Sequence, residues 1–216
     1  MRRLSLALLS VLVALPLEGS AAQIIRGGQI AVRDPQTWVS AGVGWQGGWT
    51  IFDGTTNSRW DLGDAQQYGL SLERTVRSGI TLGVRASTSH PSMNFENTTG
   101  TPLLRQADAR VTQALGVVHV TTGRDIRSVF ELGLGSTIYS GFRERGSDAK
   151  LGPASDADFT FAFSYGLGYS FSRSFHVDVV QDIVTSLHQK TGLLAGEDTS
   201  IRVSTTRIVA RLGLGG

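Results

Sequence analysis

Strict two-residue alternation from Asp158 to Phe171 limits this chain more than any other feature. Phe159, Phe161, Phe163, Tyr165, Leu167, Tyr169 and Phe171 share one parity; Asp158, Thr160, Ala162, Ser164, Gly166, Gly168 and Ser170 share the other. Successive side chains of a strand point to opposite faces, so this segment reads as a strand with one large apolar face and one small polar face.

The same grammar recurs along the chain. Val39, Ala41, Val43 and Trp45 oppose Ser40, Gly42 and Gly44, and Tyr68, Leu70 and Leu72 oppose Gly69, Ser71 and Glu73. Ile80, Leu82 and Val84 oppose Thr81, Gly83 and Arg85, while Phe130, Leu132 and Leu134 oppose Glu131, Gly133 and Gly135. Phe175, Val177, Val179, Ile183 and Leu187 oppose His176, Asp178, Asp182, Ser186 and His188, with Val180, Gln181 and Val184 as misfits. The weakest segment is 107–121, where Val111, Leu115 and Val117 lie on one face and Val118 and Val120 on the other. The pattern predicts eight strands near 37–52, 64–76, 78–89, 107–121, 126–141, 157–171, 174–189 and 200–214.

Connection lengths order these strands. Short turns at 77–78, 123–125 and 172–173 alternate with long loops at 53–63, 90–106, 142–156 and 190–199. An up-and-down antiparallel barrel then has every long loop at one end and every short turn at the other. Pro91, Pro102 and Pro153 fall in the long loops, so none removes a donor from a ladder.

Volume decides which face is inside. The interior of an eight-stranded barrel is only wide enough for side chains to fill, and rows of Phe and Tyr would overfill it. The small polar face therefore lines the lumen and the apolar face meets lipid, giving an all-β, eight-stranded antiparallel up-and-down transmembrane β-barrel. The polar face also carries Glu73, Arg85, Arg110, Glu131, Asp178, Asp182, Arg207 and Arg211, four acids and four arginines that can neutralise one another in a narrow lumen. Trp45, Trp49 and Trp60 gather toward the long loops, and Phe130, Phe171 and Phe175 toward the short turns, as two membrane-interface girdles.

The N-terminus reads as an export address. Met1-Arg2-Arg3, the apolar run Leu4–Leu17 and Ser20-Ala21-Ala22 form a signal peptide over residues 1–22. A short periplasmic segment, 23–36, precedes a barrel over 37–216. The absence of Cys excludes disulfides and thiolate metal sites. With 20 basic and 18 acidic residues, no large basic face for nucleic acid is expected.

Signal peptide, eight alternating strands and one-sided short turns resemble the small outer-membrane β-barrel family typified by OmpX and the OmpA transmembrane domain. The resemblance covers 37–216 and is one of pattern, with no diagnostic motif. It implies the outer membrane of a Gram-negative bacterium, with membrane lipids, lipopolysaccharide and the barrel-assembly machinery as partners, and a monomer. One departure is the end of the chain, Leu212-Gly213-Leu214-Gly215-Gly216, where family members usually carry a terminal aromatic residue.

Chemistry is weakly signalled. His90-Pro91-Ser92 resembles the His-x-Ser spacing of lipid A deacylases, but lies in a loop with no third group to orient the ring. His188 stands at the rim of strand 174–189. The acidic stretch Gly146–Asp158 lacks calcium-loop spacing. No cofactor, no metal and no catalysis are expected. The leading expectation is a structural, adhesion or recognition role through the long loops. The alternatives are a narrow channel, a lipid A-modifying enzyme using His90 or His188, or a soluble periplasmic β-barrel binder.

Overall fold

A computed structural model describes residues 35–54, 57–97, 104–147, 149–151, 155–188 and 199–215. The signal peptide and nearly all of segment 23–36 lie outside the described residues. Among the described residues, eleven strands form one antiparallel sheet. They are β1 (Thr37–Gln46), β2 (Trp49–Asp53), β3 (Ser58–Leu62), β4 (Ala65–Arg77), β5 (Ile80–Ser89) and β6 (Ser92–Asn97), followed by β7 (Leu104–Gly123), β8 (Ile126–Glu144), β9 (Ser155–Ser170), β10 (Phe175–His188) and β11 (Thr199–Leu214).

Eight of them close a ring, β1-β4-β5-β7-β8-β9-β10-β11. Closure is made by β1 against β11, from Thr37↔Leu214 to Gln46↔Thr205. Within this ring every strand has a neighbour on both sides, which lipid demands because it offers no partner to an open edge. The turns at Ser78–Gly79, Arg124–Asp125 and Phe171–Ser174 are short and share one end, as the connection lengths predict. Gly79 and Gly123 hold φ of 76° and 112° there, in the region that favours glycine.

The outer wall is apolar. On β9 the residues Phe159, Phe161, Phe163, Tyr165, Leu167 and Tyr169 are each more than 40% exposed. Leu70, Leu72, Leu132, Leu134, Val179 and Ile208 continue the surface around the ring. From Phe159 to Tyr169 is about 33 Å of strand. At a tilt of about 45° that gives a band about 23 Å tall, the height of a lipid-facing girdle.

The structure departs from the expected strand list in the first half of the chain. The supposed loop 53–63 contains β3, and 90–106 contains β6 and the start of β7. β2, β3 and β6 pair in the order β2-β3-β6-β7 and prolong the wall beyond β1, β4 and β5. These three strands are five, five and six residues long and mostly polar on their outer faces. That composition makes β3 and β6 read as loop, whereas β2 reads as the end of the strand expected over 37–52.

Gly47–Gly48 and Gly63–Asp64 break the prolonged strands and shift their phase by one residue. Buried positions are even-numbered in β1 and odd-numbered in β2, and even-numbered in β3 but odd-numbered in β4. A one-residue shift sends every side chain to the other face.

Candidate functional site

Polarity inverts along the barrel axis. In the half nearer the short turns, the outside is apolar and the lumen is charged. In the prolonged half, Trp49, Ile51, Trp60, Leu62, Met93, Tyr139, Phe142, Ile201 and Val203 pack inside as a buried apolar cluster. Its outer surface is largely polar, with Phe52 and Leu104 as exposed exceptions. Thr50 Oγ1 donates to Asp61 Oδ1 at 2.6 Å, Arg59 Nε lies 3.1 Å from the same oxygen, and Arg145 Nη2 lies 2.6 Å from Asp108 Oδ1. Asp108 holds the Arg145 guanidinium above its usual pKa, through a hydrogen bond and its charge. Apolar inside and polar outside is the arrangement of a β-barrel in water.

The charged lumen is a closed circuit. Arg85 Nη1 lies 2.5 Å from Glu131 Oε1 and 3.2 Å from Asp182 Oδ2. Arg207 approaches the same two oxygens, at 3.0 Å from Glu131 and 2.7 Å from Asp182. Two arginines and two carboxylates thus alternate around a four-membered ring. Glu131 Oε2 faces His119 Nδ1 at 3.4 Å, and Arg211 donates to the other nitrogen of that imidazole. Arg211 also lies 2.8 Å from Glu73 Oε2, which accepts from Thr81 as well. Toward the short turns, Arg127 Nη2 lies 2.7 Å from Asp178 Oδ1. Gly168 makes room for that pair, because a Cβ there would collide with Asp178 Oδ1. Each charge in this set is buried beside an opposite one, the condition for tolerating charge away from water.

Of the eight residues expected in the lumen, Glu73, Arg85, Glu131, Asp178, Asp182, Arg207 and Arg211 line it. Arg110 does not. It is exposed on the outer face, where its Nε donates to His90 Nε2 at 3.1 Å. Strand 107–121 carries Val on both faces, so its sequence alone did not say which parity points inward. The structure turns Val111, Leu115 and Val117 inward, and Arg110 outward with them fixed. Arg127 supplies the fourth lumen arginine. It shares the parity of Glu131, which was the available signal.

The aromatic girdles need a similar correction. Trp45 is 56% exposed, and Phe130, Phe171 and Phe175 are also exposed on the outer wall. Trp49 and Trp60 are buried in the apolar cluster instead. The phase shifts at Gly47–Gly48 and Gly63–Asp64 turn them inward.

A second cluster sits beside Trp60. His188 Nδ1 lies 3.0 Å from Asp158 Oδ2 and 3.4 Å from Asp156 Oδ2, and its Nε2 lies 3.9 Å from Asp53 Oδ1. The Trp60 and Tyr139 rings meet the imidazole edge-on at 5.5 and 6.4 Å. Donor atoms of Asp156, Asp158 and His188 all fall within 4.8 Å of one another, as do those of Glu73, His119 and Glu131. The latter three are held by Arg85, Arg207 and Arg211. Asp53, Asp156 and Asp158 were not singled out as site residues. They come from two strands far apart in sequence, and no local spacing joins them. His90, the other histidine weighed for chemistry, stands on the outer face and accepts from Arg110.

The wall resembles solved membrane proteins. Neisserial surface protein A superposes with a TM-score of 0.56 at 9% identity, covering 82% of this chain and 97% of that one. OprG of Pseudomonas aeruginosa gives 0.52 at 10% identity, over 83% and 94% of the two chains. This is the fold of the small eight-stranded outer-membrane β-barrels. No family model and no curated protein matches the sequence. At such low identity the outer-membrane barrels share their architecture with this chain, and the side chains inside it have to be read on their own.

Proposed function

We propose that this protein is a closed, non-catalytic outer-membrane barrel that presents a rigid β-wall at the cell surface for adhesion or recognition. The observation that carries this reading is the inversion of polarity along the axis. A barrel that is apolar outside at one level and apolar inside at the next stands half in lipid and half in water. The long loops belong to the watery half, and the short-turn end faces the periplasm.

Two features argue against a wide pore. The salt-bridge circuit of Arg85, Glu131, Asp182 and Arg207 crosses the lumen, and the Trp60–Tyr139 cluster fills the prolonged half. The projecting strands β2, β3 and β6 offer an ordered polar surface. A partner meeting an ordered strand surface need not bear the cost of ordering a long loop. Neisserial surface protein A, a surface protein by its name, shares the barrel fold.

The test is a pair of measurements on the refolded barrel. Gel mobility, unboiled against boiled, should shift, because a closed barrel resists detergent until heated. Planar bilayers containing it should show no stable conductance steps. A protein that shows no shift and fractionates with soluble periplasmic proteins would overturn the membrane reading. Regular single-channel currents would replace recognition with transport.

A further inference from the structure

Asp158 and Asp156 of β9 and His188 of β10 face one another at the loop end of the barrel, with Asp53 of β2 behind the imidazole. From this arrangement we propose a site for a divalent transition-metal cation of the zinc type, bound by His188 Nδ1, Asp158 and Asp156.

The distances suit such an ion. Ligands 2.0–2.1 Å from a tetrahedral zinc stand about 3.3 Å apart. His188 Nδ1 is 3.0 Å from Asp158 Oδ2 and 3.4 Å from Asp156 Oδ2. Both separations from the imidazole match a tetrahedral ion, and the donor atoms of all three residues lie within 4.8 Å of one another. One imidazole and two carboxylates select zinc or a neighbouring first-row ion over magnesium or calcium, which take all-oxygen shells. Three protein ligands leave a fourth position open.

The second observation is the other side of the imidazole. His188 is fully buried, and its Nε2 has no hydrogen-bond partner. When Nδ1 carries the proton and donates to Asp158, Nε2 turns a lone pair toward the Asp53 carboxylate. A buried polar atom so placed is costly. A cation on Nδ1 reverses this. The ring proton must then sit on Nε2, facing Asp53 Oδ1 at 3.9 Å. A carboxylate behind the histidine is the usual support of a metal-bound imidazole. Asp156 is 38% exposed and gives the ion a route from outside, while Asp158 and His188 are buried.

The refolded full chain, stripped with chelator and shown to be heat-modifiable on a gel, is titrated with Zn2+ by calorimetry and with Co2+ by absorbance and tryptophan emission. One equivalent should bind saturably in the micromolar range. Co2+ should give visible bands of a low-symmetry four-coordinate ion and quench Trp60, whose ring is 5.5 Å from His188. Quenching should largely vanish in Trp60→Phe. His188→Ala and Asp158→Asn should each weaken binding at least tenfold, and Asp53→Asn about tenfold. His90→Ala, on the outer face, should leave it unchanged. If a buried substitution prevents refolding, Asp156→Asn at the rim reads the same ligand set. Absence of saturable binding by the heat-modifiable barrel, or binding untouched by these substitutions, overturns the proposal. Neither result bears on the membrane reading, which the gel shift tests separately.

Discussion

Trp45 and Trp49, four residues apart on what the sequence presents as one strand, point to opposite sides of the barrel wall. Trp45 is 56% exposed on the outer face, whereas Trp49 is 7% exposed inside the apolar cluster. The two glycines between them absorb the change of phase.

Tryptophan emission should report this difference directly. Trp38, Trp49 and Trp60 are all buried, so Trp45 alone presents its ring to lipid. In vesicles containing brominated acyl chains, Trp45→Phe should remove most of the quenchable signal, and Trp49→Phe should leave it. Quenching lost equally in both variants would place Trp49 on the outside.

The charge circuit should be expensive to break. Glu131 accepts from both Arg85 and Arg207. Glu131→Ala leaves two buried guanidiniums short of a partner, which should cost about 3–5 kcal/mol. Denaturant unfolding of the vesicle-inserted barrel measures it. A loss below about 1 kcal/mol would mean that water reaches the circuit and screens it.

Inserted charge should map the edge of the lipid. Leu132 is 60% exposed on the apolar outer wall, and Leu132→Arg should cost about 2–4 kcal/mol if it lies near the midplane. Asn94, exposed on β6, lies beyond the band, and Asn94→Arg should change stability by less than about 0.5 kcal/mol. Equal penalties in the same unfolding assay would mean that the prolonged strands also sit in lipid.

The apolar cluster should carry much of the prolonged half. Trp60 is fully buried against Phe142, at 5.0 Å between ring centroids. Trp60→Ala should cost about 3–5 kcal/mol locally. It should also raise amide exchange in β2, β3 and β6 more than in β9 and β10, readable by mass spectrometry. Uniform loosening would show that the two halves unfold together.

Much of the wall is legible in the sequence because lipid and a narrow lumen impose opposite demands on alternate residues. Asp158–Phe171 obeys both without exception, and β9 follows it closely. Legibility fails where that pair of demands lapses. Beyond the lipid, the large residues face inward, so Trp60 and Met93 look like isolated apolar residues in polar loops. In β7 the lumen itself is apolar near Leu115 and Val117, which pack with Ala162 and Val184. Parity therefore loses its meaning there, and Arg110, expected in the lumen, stands on the outer face. Arg127 is recoverable from the parity it shares with Glu131 on β8, whereas His119, on β7, is not. Nor is the grouping of Asp53 with Asp156, Asp158 and His188, because only closure of the barrel brings β2 near β9 and β10.

The inverted polarity gives the two halves different sources of stability. Where strands stand in lipid, separating them exposes apolar surface to an apolar solvent, so the heat capacity changes little. Where Trp60, Tyr139 and Phe142 are buried above the bilayer, opening exposes apolar surface to water and brings a positive heat-capacity change. Cooling should therefore loosen the projecting wall while the part within the bilayer holds its shape, and a single melting temperature would describe only one end of the molecule.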